Sequence, residues 1–376
     1  MSDPLKVGIV TFNLVNNGVT GVVMNYATKL VEAGNEVTIL VGGCVDVDKG
    51  KLAMAKGIEI VELPSKKNDP VKYLTRLSFA LKYGCYDIVH VHGNSGMILP
   101  DLLTVREFGS SVVVSHCHST ECDHPRLHKL LRPFVPLCCD ARIACSQDAG
   151  KWLYKQKDYF VLPNAFETER FRFSVDSRCS FRERLHVADS TLLLGTIARL
   201  NPEKNHGFLV EVFESVHDIL PDSKLLIVGD GPMAEEVSQI VAASPAREDI
   251  ILYGNEPHAE LIYPALDVFL LPSHHEGLPL VSLEAQISGL PCFFSEAVPE
   301  EARLCSDMHV VPLQAGVSGW VDSILNCEVK SDAQRSVDSA CCNAARFDIE
   351  ESYALLENIY ELSQKKRPRL AEGWHK

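Results

Sequence analysis

The sequence predicts an α/β protein of two domains, each a parallel sheet with helices on both faces. The chain has 376 residues, more than a single hydrophobic core usually organises. Short apolar runs alternate with stretches of helical periodicity, which is typical of strand–helix–strand units. The alternation is lost in a charged stretch at residues 164–190 and then resumes. We therefore expect the connection between two Rossmann-like domains in that stretch.

The predicted elements follow in order along the chain. A buried strand at residues 6–11 leads through a turn-rich loop at 16–21 to a helix whose apolar residues recur from Val22 to Val31, with Gly34 beyond its end. A second helix is predicted at 73–83, and a last one at 350–362. The other strands of the first half are predicted at 36–41, 58–61, 87–92, 111–115, 141–145 and 159–162. Those of the second half are predicted at 191–198, 224–229, 249–253, 268–271, 291–294 and 309–311.

Composition excludes several classes of protein. The 36 basic and 50 acidic side chains give a net charge of −14, which disfavours binding to a nucleic-acid backbone. No signal peptide and no apolar run of about 18 residues is recognised, so a soluble protein is expected. The 13 cysteines are odd in number and scattered, which favours reduced thiols in the cytoplasm.

The strongest motif is H-E-G-L-P-L-V-S-L-E at residues 275–284, between a predicted strand and a helix. Free backbone N–H groups at a helix start favour bound anions. Glu276 and Glu284 are carboxylates, which accept hydrogen bonds from sugar hydroxyls. The alternative interpretation is an acidic helix cap with a surface glutamate.

Two further segments follow strands of the second half. In A-R-L-N-P-E-K-N at 198–205, Arg199 and Lys204 are candidates to bind one diphosphate and stabilise its charge without a metal. The alternative is a pair of solvated basic residues. The turn G-D-G-P, with Gly229 and Asp230, permits close backbone approach, but it is not a dinucleotide fingerprint.

Together these segments resemble the family-4 retaining glycosyltransferases of the GT-B fold, of the group 1, exopolysaccharide type. That family has a G-R-L-x-x-E-K-N-like segment, a G-x-G-P turn and an E-x7-E loop in this order. The resemblance extends to N-G-V at 17–19, V-L-P-N at 161–164 and S-Q-D-A at 146–149. It implies an acceptor-side domain at 1–165, a donor domain at 166–347 and a helix at 348–376 that crosses back onto the first domain.

The resemblance also implies a role for each matching residue. Arg199 and Lys204 would hold the donor diphosphate, Glu284 the ribose, and Glu276 the transferred sugar. His118 matches the family histidine near sugar and acceptor. The remaining donor-binding positions are Gly18, Val19, Gly229, Asp230, Gly277, Leu278, Leu280 and Val281. Departures from the family pattern are Asn17 for the first glycine of the loop, Ala198 for glycine and Ala165 for glycine.

The implied function is retaining transfer of a hexose or N-acetylhexosamine from a nucleotide sugar, expected to be a UDP-sugar, in a cleft between the domains. The acceptor would be a hydroxyl of a glycan or lipid-linked molecule, with no metal or other cofactor. We expect same-face attack, in which a phosphate oxygen takes the proton and the protein orients the reactants. Alternatives are a nucleotide-sugar epimerase of the same fold and a catalytically inactive nucleotide-sugar binding partner.

Three further segments carry weaker signals. Asp46-Val47-Asp48 resembles a metal-binding dipeptide but is interpreted as an exposed turn. A zinc site is disfavoured at Cys117, His118, Cys122 and His124, whose spacing matches no standard finger. Residues 126–132 mix basic and apolar side chains at helical spacing, so they are either an ordinary amphipathic helix or a contact with an anionic inner membrane surface.

Overall fold

The computed structural model describes residues 4–15, 17–109, 111–120 and 122–366. The described chain forms two compact units. The first takes in the chain up to Glu167 and again from Arg346 onward, and the second is Thr168–Ala345. The chain therefore leaves the first unit once and returns to it at its end.

The first unit is built on one parallel sheet. Its strands are β1 (Lys6–Thr11), β2 (Glu36–Val41), β3 (Glu59–Glu62), β4 (Ile88–His92), β5 (Val112–Cys117), β6 (Ala141–Ala144) and β7 (Phe160–Val161). They lie in the order β3-β2-β1-β4-β5-β6-β7. Every residue of β4 and β5 is buried, as expected of central strands covered on both faces.

Helices cover both faces of this sheet. They are α1 (Gly18–Glu32), α2 (Val47–Ala55), α3 (Pro70–Gly84), α4 (Leu99–Phe108), α5 (Pro125–Leu131), α6 (Gln147–Tyr154) and a C-terminal helix, Ile349–Lys366. The C-terminal helix buries Leu356, Ile359 and Tyr360 in the same core as Tyr26 of α1. Apolar contact therefore makes it part of the first unit.

The second unit repeats the plan. Its strands are β8 (Leu192–Ile197), β9 (Ser223–Val228), β10 (Ile250–Gly254), β11 (Val268–Leu271), β12 (Cys292–Phe294) and β13 (Met308–Val310). They form a parallel sheet in the order β10-β9-β8-β11-β12-β13. Its helices are α7 (Val175–Arg184), α8 (His206–Ile219), α9 (Ala234–Ala243), α10 (Leu280–Ile287), α11 (Gly316–Leu325) and α12 (Asp332–Cys341); the C-terminal helix is α13. The predicted α/β class with two parallel sheets is confirmed.

Two local predictions are corrected. Helix α1 begins at Gly18, not after the loop at 16–21, because Asn17 caps it by accepting a hydrogen bond from the Thr20 N–H at 2.8 Å. Residue 16 of that predicted loop lies outside the described residues. Asp46 likewise is a helix cap, not part of a turn: its Oδ1 accepts from the N–H groups of Asp48 and Lys49, and α2 begins at Val47.

The charged stretch expected to connect the domains contains helix α7. Arg178 and Arg182 of this helix are buried against Asp267, with nitrogen–oxygen distances of 2.7 and 3.2 Å. The second carboxylate oxygen of Asp267 also accepts from the Leu193 N–H at 2.8 Å. Buried charges are tolerated when they are paired and hydrogen-bonded, so residues that looked like a solvated linker belong to the core of the second unit.

Within the described residues, no helix combines the length and the apolar character that crossing a bilayer requires.

Candidate functional site

The loop between β11 and α10 carries the E-x7-E motif. It leaves the sheet after Leu271, and α10 begins at Leu280. Glu276 lies within the loop, and Glu284 lies about one turn inside the helix. Both carboxylates therefore lie at the carboxyl end of the sheet, where parallel α/β sheets bind ligands.

Lys204 and Glu276 form a close ion pair in the second unit. The distance from Lys204 Nζ to Glu276 Oε1 is 2.5 Å, and the side chains are 15% and 7% exposed. The Ser273 hydroxyl donates to the same oxygen at 2.6 Å. Oε2 of Glu276 has no hydrogen-bond partner in the described part of the chain, so it is available to accept from a ligand hydroxyl.

The loop that carries Lys204 follows β8 and is tied to the motif loop. The His274 N–H donates to the Glu203 carbonyl at 2.7 Å, which joins the two loops through their backbones. Arg199 is exposed and, among the described residues, forms no ion pair. The structure thus holds Lys204 in a fixed pair and leaves the Arg199 guanidinium open to solvent, where an anion can reach it.

The glycine turn after β9 supports the Arg199 loop. A Cβ on Gly229 would lie 1.9 Å from the Ala198 carbonyl oxygen, and one on Gly231 would lie 2.3 Å from the Leu200 oxygen. Gly229 also has φ = 142°, which L side chains rarely adopt. The sequence interpretation attributed these glycines to close approach of a ligand, but the structure gives them a packing reason: they let the turn press against the loop of Arg199.

The start of α10 presents unpaired backbone donors. The N–H groups of Gly277, Leu278, Leu280 and Val281 have no hydrogen-bond partner among the described residues. Pro279 precedes the helix and supplies no side-chain cap. Uncapped N–H groups together with the helix dipole favour a negatively charged ligand at this end.

Glu284 differs from Glu276 in its electrostatic surroundings. Burial raises the pKa of Glu284 to about 7, although the hydrogen bond donated by the Tyr263 hydroxyl at 2.6 Å opposes the shift. Nearby Glu260 raises this pKa further and Arg170 lowers it. Glu284 therefore exchanges its proton near neutral pH, and its ability to accept hydrogen bonds varies there.

This shift predicts how stability depends on pH. Between about pH 4.5 and 7 the folded state holds a proton on Glu284 that the unfolded chain has released. The free energy of unfolding contributed by this group therefore falls as the pH rises through that window. We expect urea melts to show that the free energy of unfolding of the wild type falls between pH 5 and pH 8. The fall should exceed that of Glu284→Gln by on the order of 1–3 kcal/mol. An equal pH dependence in both proteins would contradict the shift.

The structure places the other predicted residues in the first unit. Gly18 and Val19 are the first residues of α1, directly after its cap Asn17, so they contribute backbone N–H groups at a second helix N-terminus. His118 follows β5 and is 7% exposed.

Both ring nitrogens of His118 are engaged inside the first unit. Nδ1 lies 3.1 Å from Asn164 Oδ1, and Nε2 lies 2.7 Å from Nδ1 of His92. Burial lowers the pKa of His118 to about 4, although the hydrogen bond with Asn164 acts to raise it. His118 is thus neutral at pH 7. Sequence reasoning missed His92 and Asn164 as its partners, although the H-x-H pattern at the ends of two neighbouring strands was an available signal.

As the sequence interpretation expected, Cys117, His118, Cys122 and His124 of the described chain do not form a group close enough to share a metal. Among the described residues, the group of side chains close enough to share a metal is instead His90, His92 and His116. The Cys117 thiol donates to the Ser119 carbonyl, and burial raises its pKa. A neutral, hydrogen-bonded thiol is a poor metal ligand because metals bind the thiolate.

Comparison with known proteins identifies the class. The family model of "Glycosyl transferases group 1" matches residues 178–307, and the family model of "Glycosyltransferase Family 4" matches residues 16–170. Together these two ranges take in most of both units, and both family models describe glycosyltransferases. The chain belongs to the family-4, group 1 glycosyltransferases.

Individual relatives agree with this assignment. EpsF of Bacillus subtilis is 27% identical over 315 residues, which is 80% of this chain and 81% of that protein. The UDP-Gal:α-D-GlcNAc-diphosphoundecaprenol α-1,3-galactosyltransferase of Escherichia coli is 30% identical over 240 residues, or 60% of this chain and 62% of that protein.

Solved structures show the same fold. A glycosyltransferase from Rickettsia africae has a TM-score of 0.79 and 16% identity, covering 97% of this chain and all of that one. HepE of Anabaena, in complex with UDP and glucose, has a TM-score of 0.76 and 15% identity. The match covers 95% of this chain and 99% of the HepE chain. The expected GT-B fold of two Rossmann-like domains is therefore confirmed.

Proposed function

We propose that this chain is a retaining glycosyltransferase that moves a hexose or N-acetylhexosamine from a UDP-sugar to a hydroxyl of a glycan or lipid-linked acceptor. The observation that carries the proposal is the Lys204–Glu276 pair beside the uncapped start of α10. A cation, open amides and a carboxylate with a free oxygen are the groups that a diphosphate and a sugar require. The UDP in HepE and the UDP-Gal of the Escherichia coli enzyme support the choice of nucleotide.

The proposed roles follow from position in the second unit. Lys204 and Arg199 bind the diphosphate, together with the amides of Leu280 and Val281. Glu276, with the amides of Gly277 and Leu278, positions the transferred sugar, while Glu284 binds the ribose. These assignments, with the donor-side roles of Gly18, Val19, Gly229 and Asp230 and the positioning role of His118, are proposals derived from the family resemblance.

The reaction breaks the bond between the sugar's anomeric carbon and the diphosphate oxygen. We propose that the acceptor hydroxyl attacks from the face that the diphosphate leaves, so the configuration is retained, and that a phosphate oxygen takes the hydroxyl proton. Arg199, Lys204 and the helix start stabilise the charge that develops on the leaving group. The α-linked product named for the Escherichia coli relative supports retention.

Fixed protein cations replace a metal at the diphosphate in this proposal. An ammonium and a guanidinium supply positive charge without the coordination demands of Mg²⁺. We therefore propose that added Mg²⁺ or Mn²⁺ does not increase the rate of transfer. At the diphosphate, no group other than the protein's own cations and amides is proposed to bind the nucleotide sugar.

A thermal-shift screen of nucleotide sugars, with and without EDTA, tests the proposal. We expect one UDP-sugar to raise the Tm equally in both conditions. A shift that requires added divalent metal would overturn metal independence. Incubation of the same donor without acceptor separates the alternatives: an epimerase changes the sugar's configuration, an inactive binding partner leaves the donor intact, and a transferase hydrolyses it slowly.

A lipid-linked acceptor is supported by the segment around α5. In α5 the fully buried side chain is His128, which stacks on Trp152 with ring centroids 4.2 Å apart. Leu131 packs partly buried against the core, but two other leucines point away from it: Leu130 is 65% exposed, and in the turn that follows Leu137 is 62% exposed. An ordinary amphipathic helix would bury its apolar face, so this arrangement favours a contact with lipid.

Charge supports the same interpretation. Arg126 and Lys129 are exposed on α5, next to the exposed apolar side chains. A cavity of about 600 Å³ beside this segment is lined in part by Arg132, Lys155 and Lys157. Basic residues beside exposed apolar ones attract the surface of an anionic membrane. We propose a cytoplasmic protein that contacts the inner membrane surface through this segment.

Vesicle binding tests this contact. We expect Leu130→Ser/Leu137→Ser to weaken binding to vesicles containing anionic lipid at least tenfold, because each buried leucine contributes roughly 1.5–3 kcal/mol. Ile219→Ser/Val337→Ser, which alters similarly exposed apolar side chains of the second unit, is the control and should bind like the wild type. Equal binding to neutral and anionic vesicles, or none in the wild type, would contradict the proposal.

A further inference from the structure

Four histidines lie together at the ends of two central strands of the first unit. His90 and His92 are two residues apart on β4, so their side chains point to the same face. The strand register pairs His92 with His116 of β5, and His118 follows two residues later. The rings of His90 and His92 stack with centroids 4.3 Å apart, and those of His92 and His116 are tilted by 35° with centroids 5.1 Å apart. The sheet therefore gathers these imidazoles in one buried cluster.

The hydrogen bonds of the cluster leave specific nitrogens unpartnered. Nδ1 of His90 lies 2.8 Å from the Tyr360 hydroxyl, and Nδ1 of His92 lies 2.7 Å from Nε2 of His118. Among the described residues, Nε2 of His90 and both ring nitrogens of His116 have no hydrogen-bond partner, although His90 is 1% exposed and His116 is fully buried. Because buried polar atoms normally have a hydrogen-bond partner, the unpartnered nitrogens indicate that a ligand binds here.

We propose that His90, His92 and His116 form a binding site for a divalent transition-metal ion, and that this ion is zinc. One nitrogen from each of the three residues can be chosen so that all lie within 4.8 Å of one another. Neutral imidazole nitrogens suit zinc and its neighbours in the first transition series, whereas Mg²⁺ and Ca²⁺ prefer oxygen ligands. The three nitrogen ligands therefore favour zinc over Mg²⁺ and Ca²⁺.

The surroundings have two further features of a metal site. Histidines that bind metals usually use the second ring nitrogen in a hydrogen bond, which fixes the tautomer. Tyr360 does this for His90, and His118 does it for His92. Burial also lowers the pKa of His90 to about 3 and the pKa values of His92 and His116 well below the usual value, so all three are in the neutral form that binds metals.

Coordination changes the arrangement of the rings. In the structure the His90 and His116 rings are nearly parallel, with an interplanar angle of 12°. A metal lies in the plane of each ring it binds, so the imidazoles turn out of the stack and toward the ion. The ion then joins β4 to β5 and, through the bond from His92, fixes the orientation of His118. The histidines of this site belong to the first unit and the residues proposed to bind the diphosphate belong to the second, so the existence of the metal site does not rest on the proposed transferase function.

Metal content and cobalt spectra test the site on the full chain. We expect protein loaded with zinc and then dialysed to retain about one ion per chain by elemental analysis. Co²⁺ in place of zinc should give ligand-field bands without a sulfur-to-cobalt charge-transfer band, because the ligands are imidazoles. We expect His90→Gln and His116→Gln each to weaken zinc affinity at least tenfold in competition with a chromophoric chelator.

His128→Gln is the matched control. His128 is also buried in the first unit with an unpartnered Nε2, but it lies outside the cluster. It should bind zinc like the wild type, and circular dichroism checks that every variant is folded. Retention of less than about 0.1 ion per wild-type chain would overturn the proposal. So would unchanged affinity in both cluster variants, or a thiolate band showing that the ion is held by cysteine.

Discussion

Lys204→Met is expected to reduce transfer by on the order of 10³-fold while leaving the protein folded. In the structure the Lys204 ammonium pairs with Glu276 beside the open amides of α10. In the proposed reaction it stabilises the diphosphate as it leaves. A fixed charge that acts on the transition state in a desolvated site contributes about 3–4 kcal/mol. Methionine keeps an unbranched apolar stem of similar size and removes the ammonium, so the loss should fall on kcat more than on the thermal stability.

Lys224→Met provides the control for this result. Lys224 is also an ion-paired lysine of the second unit, 26% exposed and 2.5 Å from Asp249, but it lies at the start of β9, away from the carboxyl ends of the strands. It should transfer sugar at the wild-type rate. Full activity in Lys204→Met, or an equal loss in both variants, would show that the ammonium has no specific role.

Glu276→Gln is expected to reduce transfer by on the order of 10²–10³-fold. The substitution preserves the size of the side chain, but it replaces one acceptor oxygen by a donor and removes the negative charge that holds Lys204 and, in the proposal, positions the sugar. Misplacing the reacting centre by about 1 Å is enough for losses of this size. Steady-state rates with the donor identified by the screen measure the effect.

Glu256→Gln is the matched control for Glu276. Glu256 is 9% exposed and ion-paired with Arg184 at 3.6 Å, so it shares the burial and charge of Glu276 but not its loop. If the proposed role is right, only Glu276→Gln loses activity, whereas both variants melt within a few degrees of the wild type. Equal rates in the two variants would place the sugar elsewhere.

The fold was largely predictable because parallel strands buried on both faces are continuous apolar runs. Three predicted runs coincide with β1, β2 and β11, at residues 6–11, 36–41 and 268–271. The other predicted strands differ from the observed ones by one or two residues at their ends. The prediction failed where polar residues set the structure. Asp46 and Asn17 start helices through side-chain hydrogen bonds, and Arg178 in a charged stretch is buried by its pair with Asp267.

The candidate site was predictable in its residues but not in its contacts. Motif order singled out Lys204 and Glu276, but sequence separation could not show that the two side chains touch, since that depends on how β8 and β11 lie side by side. No sequence pattern connects Glu284 with Tyr263, and the H-x-H pattern that connects His118 with His92 is informative only once β4 and β5 are known to be neighbours. Such pairs become visible only when the sheet register brings distant segments together.

Calorimetric titration of UDP into the wild type and Lys204→Met, both in EDTA, tests the central claim most directly. That claim is that a protein cation and the start of α10 bind the diphosphate without a metal. We predict that the wild type binds UDP in EDTA and that the variant binds roughly tenfold to a hundredfold more weakly, the loss expected for about 1.5–3 kcal/mol of a charge-assisted contact. Binding that vanishes in EDTA, or equal affinity in the two proteins, would contradict it.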